Sequence, residues 1–325
     1  MTSREQAKRG LSRRFAWLAA AIVAGIALYT AGWFYVAGRL EAEVAETLAN
    51  ARTNGAEADC AEAEARGYPF RLGLFCDSVT YKDPTGLALD GTGLRSAAQI
   101  YQPWRIVGEL DRIALEFDGT SAGLALEAAD IRYSTRLGDD LPERISVTGR
   151  ALAASSAGAA PFADAAAGEA HLRRTGIDLD VALSFSALRW KQAAAGGAPL
   201  PPLDGDVDLT LADGVRLATT RPASPRGTSG EIRAARIGTD ATGLTLSGPF
   251  SIGTDGLLDA TLTLSIRNPQ ALSVLLAEAF PQIRPQVDQT GAIIAALGDN
   301  PQLPLSVSKG VVRMGFFTLG RIPPL

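Results

Sequence analysis

Twenty-three consecutive uncharged residues, Phe15 to Ala37 (FAWLAAAIVAGIALYTAGWFYVA), constrain this 325-residue chain more than any other stretch. A helix crossing a bilayer core needs about 20 apolar residues. Arg4, Lys8, Arg9, Arg13 and Arg14 precede the stretch, and Glu41, Glu43 and Glu46 follow it. A basic flank stays in the cytoplasm, which places everything beyond Ala37 outside. Trp17 at one end and Trp33, Phe34 and Tyr35 at the other fit the two aromatic belts of a spanning helix. The alternative is a cleaved signal peptide, whose apolar core runs about 7–15 residues before a small-residue cleavage site. This stretch is longer and leaves through aromatics, which favours an anchor. The expected plan is a basic cytoplasmic tail (1–14), a transmembrane helix (15–37), a helical neck (38–66) and an exported β-rich domain (67–325).

Beyond Ala37 the chain holds 26 basic and 34 acidic residues, a net charge of about −8. So acidic a domain is a poor match for nucleic acid or for an anionic membrane surface, both of which select for Lys and Arg. The only two cysteines, Cys60 and Cys76, both fall in the exported part. In an oxidising compartment they read as a disulfide. A metal site or a redox pair is the other reading, but there is no CxxC, and the single histidine, His171, is distant.

Two-residue periodicity dominates the rest. Ile113, Leu115 and Phe117 alternate with Arg112, Ala114 and Glu116; comparable runs cover Ile177–Ser186, Asp206–Leu211 and Leu258–Arg267. This is the pattern of antiparallel sheet with one apolar and one wet face. Turn signals such as Asp83-Pro84-Thr85-Gly86, Asp118-Gly119 and Asp204-Gly205 separate the runs. Gly86-Leu-Ala-Leu, Gly123-Leu-Ala-Leu and Gly243-Leu-Thr-Leu each open an extended run, which reads as a reused strand-turn unit or as chance in a Gly- and Leu-rich chain. Ala56–Arg66, rich in Ala and Glu, is expected to be helical. Ala151–Gly168 and Lys191–Pro202 read as loops or linkers, Gly91–Ser96 as a turn, and Asn268–Gly298 as helix with Asn268 as cap and Pro269 in the first turn. Two closing strands are expected in Leu303–Leu325.

No motif of hydrolase, zinc-protease or nucleotide chemistry occurs. His171 reads as an exposed residue, and the alternating Asp204, Asp206 and Asp208 as a solvated strand face rather than a calcium site. No enzyme activity, cofactor or metal is expected. The apolar sheet face remains. With few helices to cover it, either the sheet rolls up on itself or it forms a groove for hydrocarbon. In an open groove Ile177, Leu179, Val181, Leu183 and Phe185 are expected to point inward beside Leu262, Leu264 and Ile266.

Gly67-Tyr68-Pro69-Phe70-Arg71 followed by Cys76, together with Tyr101-Gln-Pro103-Trp104, resembles the DUF2125 family of uncharacterised envelope proteins, common in alphaproteobacteria. The resemblance extends to the anchor, the cysteine pair and the closing Gly320-Arg-Ile-Pro-Pro-Leu325, and so covers nearly the whole chain. It implies a distantly AsmA-like architecture, an elongated curved antiparallel sheet behind an N-terminal transmembrane helix, in proteins associated with lipid movement or outer-membrane upkeep. No catalytic residue carries over. Arg71, Tyr101 and Trp104 match motif positions and read as turn and core-packing residues. The expected protein is mainly β with a few helices, single-pass in the inner membrane, with its bulk in the periplasm. Its expected role is to bind or guide an apolar envelope component, lipid in chemical terms, or else to serve as a non-catalytic structural or assembly factor for envelope proteins.

Overall fold

A computed structural model describes residues 3–117, 123–139, 141–156, 158–191, 196–220 and 224–325. The Asp118-Gly119 turn signal and the basic side chains before Phe15 lie outside the described residues, as does part of the Lys191–Pro202 break. Helix α1 (Ser3–Thr53) contains the whole uncharged stretch and continues past it. At 51 residues it is about 77 Å long. It ends at Gly55, whose φ of 87° no side chain adopts easily.

Among the described residues sixteen strands follow, all in one antiparallel sheet. They are β1 (Glu57–Ala61), β2 (Glu64–Arg66), β3 (Arg71–Lys82), β4 (Leu87–Gln99), β5 (Gln102–Phe117), β6 (Leu124–Arg136), β7 (Arg144–Ser155) and β8 (Ala163–Thr175). Then come β9 (Asp178–Trp190), β10 (Leu203–Leu211), β11 (Ser229–Gly238), β12 (Gly243–Ile252) and β13 (Leu258–Arg267). The last three are β14 (Gln302–Ser308), β15 (Val311–Met314) and β16 (Phe317–Arg321). From β3 to β16 spatial order equals chain order, and β1 and β2 share the outer side of β3. Helix α2 (Gly214–Thr220) interrupts the meander briefly, and α3 (Pro269–Ala279) and α4 (Arg284–Ala295) form a longer excursion. Asn268 accepts a bond from the Ala271 amide as the α3 cap, with Pro269 in the first turn. After this excursion the chain returns to pair β14 with β13.

Register shows how alternation becomes two faces. Ala170, Leu183, Val207, Ala235, Leu246, Leu264 and Leu303 are consecutive partners across β8 to β14. One position along each strand the row reads Glu169, Ser184, Asp206, Arg236, Thr245, Ser265 and Gln302. The polar face is tied by ion pairs. The Asp180 carboxylate, 13% exposed, takes Arg233 at 2.8 Å and Arg173 at 3.2 Å, and it accepts hydroxyl bonds from Thr175 and Thr210. Chiefly through Arg233, these donors hold it well below the usual carboxylate range. Asp206 and Asp208 pair with Arg236 and Arg233, while Asp204 accepts the Ala187 amide at 2.8 Å.

Four expectations need correction. Ala56–Arg66 is strand, not helix: its backbone satisfies the open edge of β3, and that pairing overrides the local preference of Ala and Glu. Ala151–Gly168 is largely strand, the end of β7 and the start of β8, with a loop only between Ser155 and Ala163. Gly91–Ser96 lies inside β4, where Gly93 (φ 66°) leaves the space a Cβ would take to the Asp111 carboxylate. Three closing strands are present rather than two.

Cys60 and Cys76 are bonded, with Cα atoms 5.5 Å apart, and the bond ties β1 to β3. Trp33 and Ala37 of α1 pack on Ala65 and Leu72 of the same edge. Closing a loop of this length stabilises by about 3 kcal/mol. Cys76→Ser is expected to lower stability by about 2–4 kcal/mol in urea unfolding.

Because Asp180 is held acidic in the folded chain, its contribution is complete above the unfolded carboxylate value of about 3.9 and fades as pH falls below it. Asp180→Asn should therefore be less stable than the natural protein at pH 7, with the gap closing toward about pH 2, as read from urea midpoints.

Candidate functional site

The apolar face has no second layer over most of its length. Accessible surface totals 20,719 Å², against about 12,800 Å² for a compact protein of 33.9 kDa. Among the described residues no large side chain is more than 98% buried. The face is instead filled from within the sheet. Rings lie down over glycines of the neighbouring strand: Phe185 over Gly205, Phe250 over Gly230 and Tyr133 over Gly108. A Cβ on Gly205 would stand 2.4 Å from the Phe185 ring, and one on Gly108 would stand 2.5 Å from that of Tyr133. Leu152 leans over Gly168 in the same way. Rings that lie flat leave the space above the face open.

An almost wholly apolar recess of this trough spans β5 to β9. It measures about 370 Å³ and is lined by Ile113, Leu115, Leu126, Leu152, Ala154, Ala163, Ala165, Phe185 and Leu188. Its volume falls in the range of about 300–1,000 Å³ typical of ligand pockets. The floor is alanine: Ala163 and Ala165 are buried, and larger side chains at those positions would fill the recess. At its far end Phe162 and Trp190 close together, with ring centroids 5.3 Å apart. The Ala-rich run that reads as a linker is thus the floor of the trough. The signal for it is the spacing Leu152, Ala154 and then Ala163, Ala165, which is strand-like once small residues are allowed as inward positions.

The eight expected groove residues divide. Leu183 is 46% exposed on the open face, Val181 and Leu264 are half-buried, and Phe185 lines the recess. Leu179 is covered where α2 begins at Gly214, and Leu262 packs with Ala260 and Val307. Ile266 is buried beside the α3–α4 hairpin, where it lines a smaller recess with Leu272, Leu276 and Ile294. Ile177 is 67% exposed in the turn before β9, outside the trough.

The Gly67–Arg71 and Tyr101–Trp104 segments form neighbouring turns, the first of them against α1. Trp33 Nε1 donates to the Arg71 carbonyl at 2.9 Å, and the Ile100 amide donates to the Phe70 carbonyl at 3.2 Å. Tyr101 and Trp104 are 65% and 47% exposed, so they are not core residues. Their packing is external because they stand at strand ends, where no further layer follows. His171 sits 3.3 Å from Glu169 on the polar face. Among the described residues no group of three His, Cys, Asp or Glu side chains is placed to hold a metal.

A family model described as an uncharacterised protein conserved in bacteria (DUF2125) matches residues 33–323. No curated protein and no solved structure matches the chain.

Gly205→Ala is expected to lower stability by about 1–3 kcal/mol through collision with the Phe185 ring. In a Phe185→Ala background the added cost should shrink, which urea unfolding of the two single variants and the double variant will measure.

Proposed function

The chain belongs to the DUF2125 family of bacterial proteins, and we propose that it is a single-pass envelope protein whose exported sheet binds or guides the acyl chain of a lipid. The observation that carries the proposal is the trough: a continuous apolar face, uncovered over most of its length, with an alanine-floored recess between β5 and β9. Each methylene moved there from water contributes about 0.8 kcal/mol. The role is binding rather than turnover.

The anchor reading is supported by continuity. α1 runs unbroken from the apolar stretch to Thr53, and Trp33, Ala37 and Leu40 pack on the sheet edge. Cleavage of a signal peptide inside this helix would remove part of that packing. The basic residues before Phe15 support a cytoplasmic N-terminus, with the sheet in the periplasm.

The assembly-factor reading keeps one observation of its own. All five residues of β16 are exposed, including Phe317 and Leu319, so that edge is available to a strand from another protein.

A photoactivatable fatty acid incubated with the full chain in mild detergent should crosslink to peptides from β5–β9. Leu183→Asp, placed on the open face, should remove those crosslinks while the circular dichroism stays unchanged. Crosslinks confined to α1 would mean that the chain holds only the lipid around its anchor, leaving the assembly-factor reading.

A further inference from the structure

The end of the sheet beside the anchor differs in chemistry from the rest of the exported part. α1 runs alongside β3. Trp33 donates to the Arg71 carbonyl at 2.9 Å. Glu41 accepts the amide of Ala65, the partner of Leu74, and Arg52 donates to the carbonyl of Ala58, the partner of Tyr81. From Trp33 to Arg52 the helix rises about 28 Å, and from Arg71 to Tyr81 the strand rises about 33 Å. Helix and strand are therefore close to parallel, and the strands nearest the anchor stand along the helix axis. Their lower ends are level with Trp33, which lies inside the uncharged stretch. The Gly67–Phe70 turn reaches deeper. The Tyr68 hydroxyl is 2.7 Å from that of Thr30, its ring stacks on Phe34, and the Tyr29 hydroxyl donates to the Pro69 carbonyl.

Large side chains at this end face outward. Phe70 is 68% exposed, Tyr101 65% and Trp104 47%. Backbone bonds from Ile100 to Phe70 and from Leu137 to Trp104 join three neighbouring turns into one rim. Arg71, Arg105, Arg136 and Arg144 stand on it, exposed, the last three as consecutive partners on β5, β6 and β7. Among the described residues only Arg136 of these four has a carboxylate at ion-pair distance, Glu143 at 2.8 Å. The first two turns carry Arg71 and Arg105 and no acid, while the third carries Asp139, Asp140 and Glu143 beside Arg136 and Arg144, so the basic excess lies on the turns nearest α1, in an exported part whose net charge is about −8.

We propose that this rim rests on the surface of the bilayer that α1 crosses, its aromatic rings in the interfacial layer and its arginines on the phosphates of anionic lipids. The proposal rests on the reading of α1 as an anchor. Aromatic rings with a polar tip favour that layer, and basic residues close to an anionic surface are drawn to it. The acidic bulk of the exported part is kept off the same surface, so contact is confined to the rim. Trp104 stands two residues before Ile106 of the apolar face, so the rim adjoins the near end of that face, with the recess at the other end of the strands.

The test uses the full, unreduced chain reconstituted in vesicles of phosphatidylcholine alone or mixed with phosphatidylglycerol. One added cysteine carries a fluorophore, at Leu28→Cys in the anchor, Gln102→Cys on the rim or Lys82→Cys at the opposite end of β3, and the lipid carries a quencher, on the acyl chain for the Leu28 probe and in the headgroup region for the other two. The Leu28 and Gln102 probes should be quenched and the Lys82 probe, about 36 Å along the strand from Arg71, should not. In the anionic vesicles Arg105→Glu combined with Arg144→Glu, or high salt, should reduce quenching at Gln102 by about twofold or more, and by less in phosphatidylcholine. A Gln102 probe as unquenched as that at Lys82, beside a quenched Leu28 probe, overturns the rim proposal alone. An unquenched Leu28 probe overturns the anchor reading and the rim with it. Quenching at Gln102 that ignores lipid charge, salt and the paired substitution overturns the role given to the arginines.

Discussion

Backbone amides and carbonyls buried in a sheet are satisfied only by strands on both sides, and here chain order supplies nearly all of those neighbours. Every strand from β3 to β16 lies beside the one before it. Such pairing fixes the two faces but provides nothing to cover the apolar one, since the described helices are few and lie at the margins. The sheet compensates within its own plane. Glycines opposite Phe185, Phe250 and Tyr133 let the rings lie down, so apolar surface is buried strand against strand rather than layer against layer. The half-burial of the face follows from this, and so does the open space above it.

The strands were legible because alternation in Ile177–Ser186 and Leu258–Arg267 has a single physical cause, one wet and one apolar face. The α3 start was legible because Asn268 and Pro269 act locally. What stayed hidden depends on partners distant in sequence. Glu57–Arg66 has the composition of a helix and becomes strand because β3 offers an unsatisfied edge. The trough floor was hidden for a related reason. Ala163 and Ala165 carry no strand preference, and their smallness has meaning only beside Leu152 and Phe185 on other strands. Leu179 and Ile266 alternate as well as Leu183 does, yet they are covered by segments that arrive later in the chain, α2 and the α3–α4 hairpin.

The uncharged stretch of α1 and the recess lie toward opposite ends of the strands: Trp33 meets Arg71 at the start of β3, whereas Leu115 and Leu126 of the recess are level with Leu89, the partner of Tyr81. α1 covers the outer side of the edge formed by β1, β2 and β3, and the disulfide holds β1 to β3 under it. Gly67–Arg71 forms the turn that meets α1 at this junction, and Tyr101–Trp104 forms the neighbouring turn, joined to it by the Ile100–Phe70 backbone bond. The alanine-floored recess begins two strands further on, at β5. The recess is therefore offset from α1 by a few strand widths of about 5 Å each, and from the level of Trp33 by about 33 Å along the strands.

The agreement between chain order and spatial order makes the sheet nearly one-dimensional, because each strand depends on its two neighbours and little else. In such a lattice a hairpin can be gained or lost without disturbing strands farther away, and both ends of the new hairpin return to the same side. The length of the trough is then a matter of counting hairpins rather than of redesigning a core. Loss of structure is also directional. The β1–β3 terminus is clamped by a covalent bond and a helix, while β15 and β16 are only four and five residues long and β16 is exposed throughout. Fraying therefore starts at the C-terminal strands and travels toward the anchor.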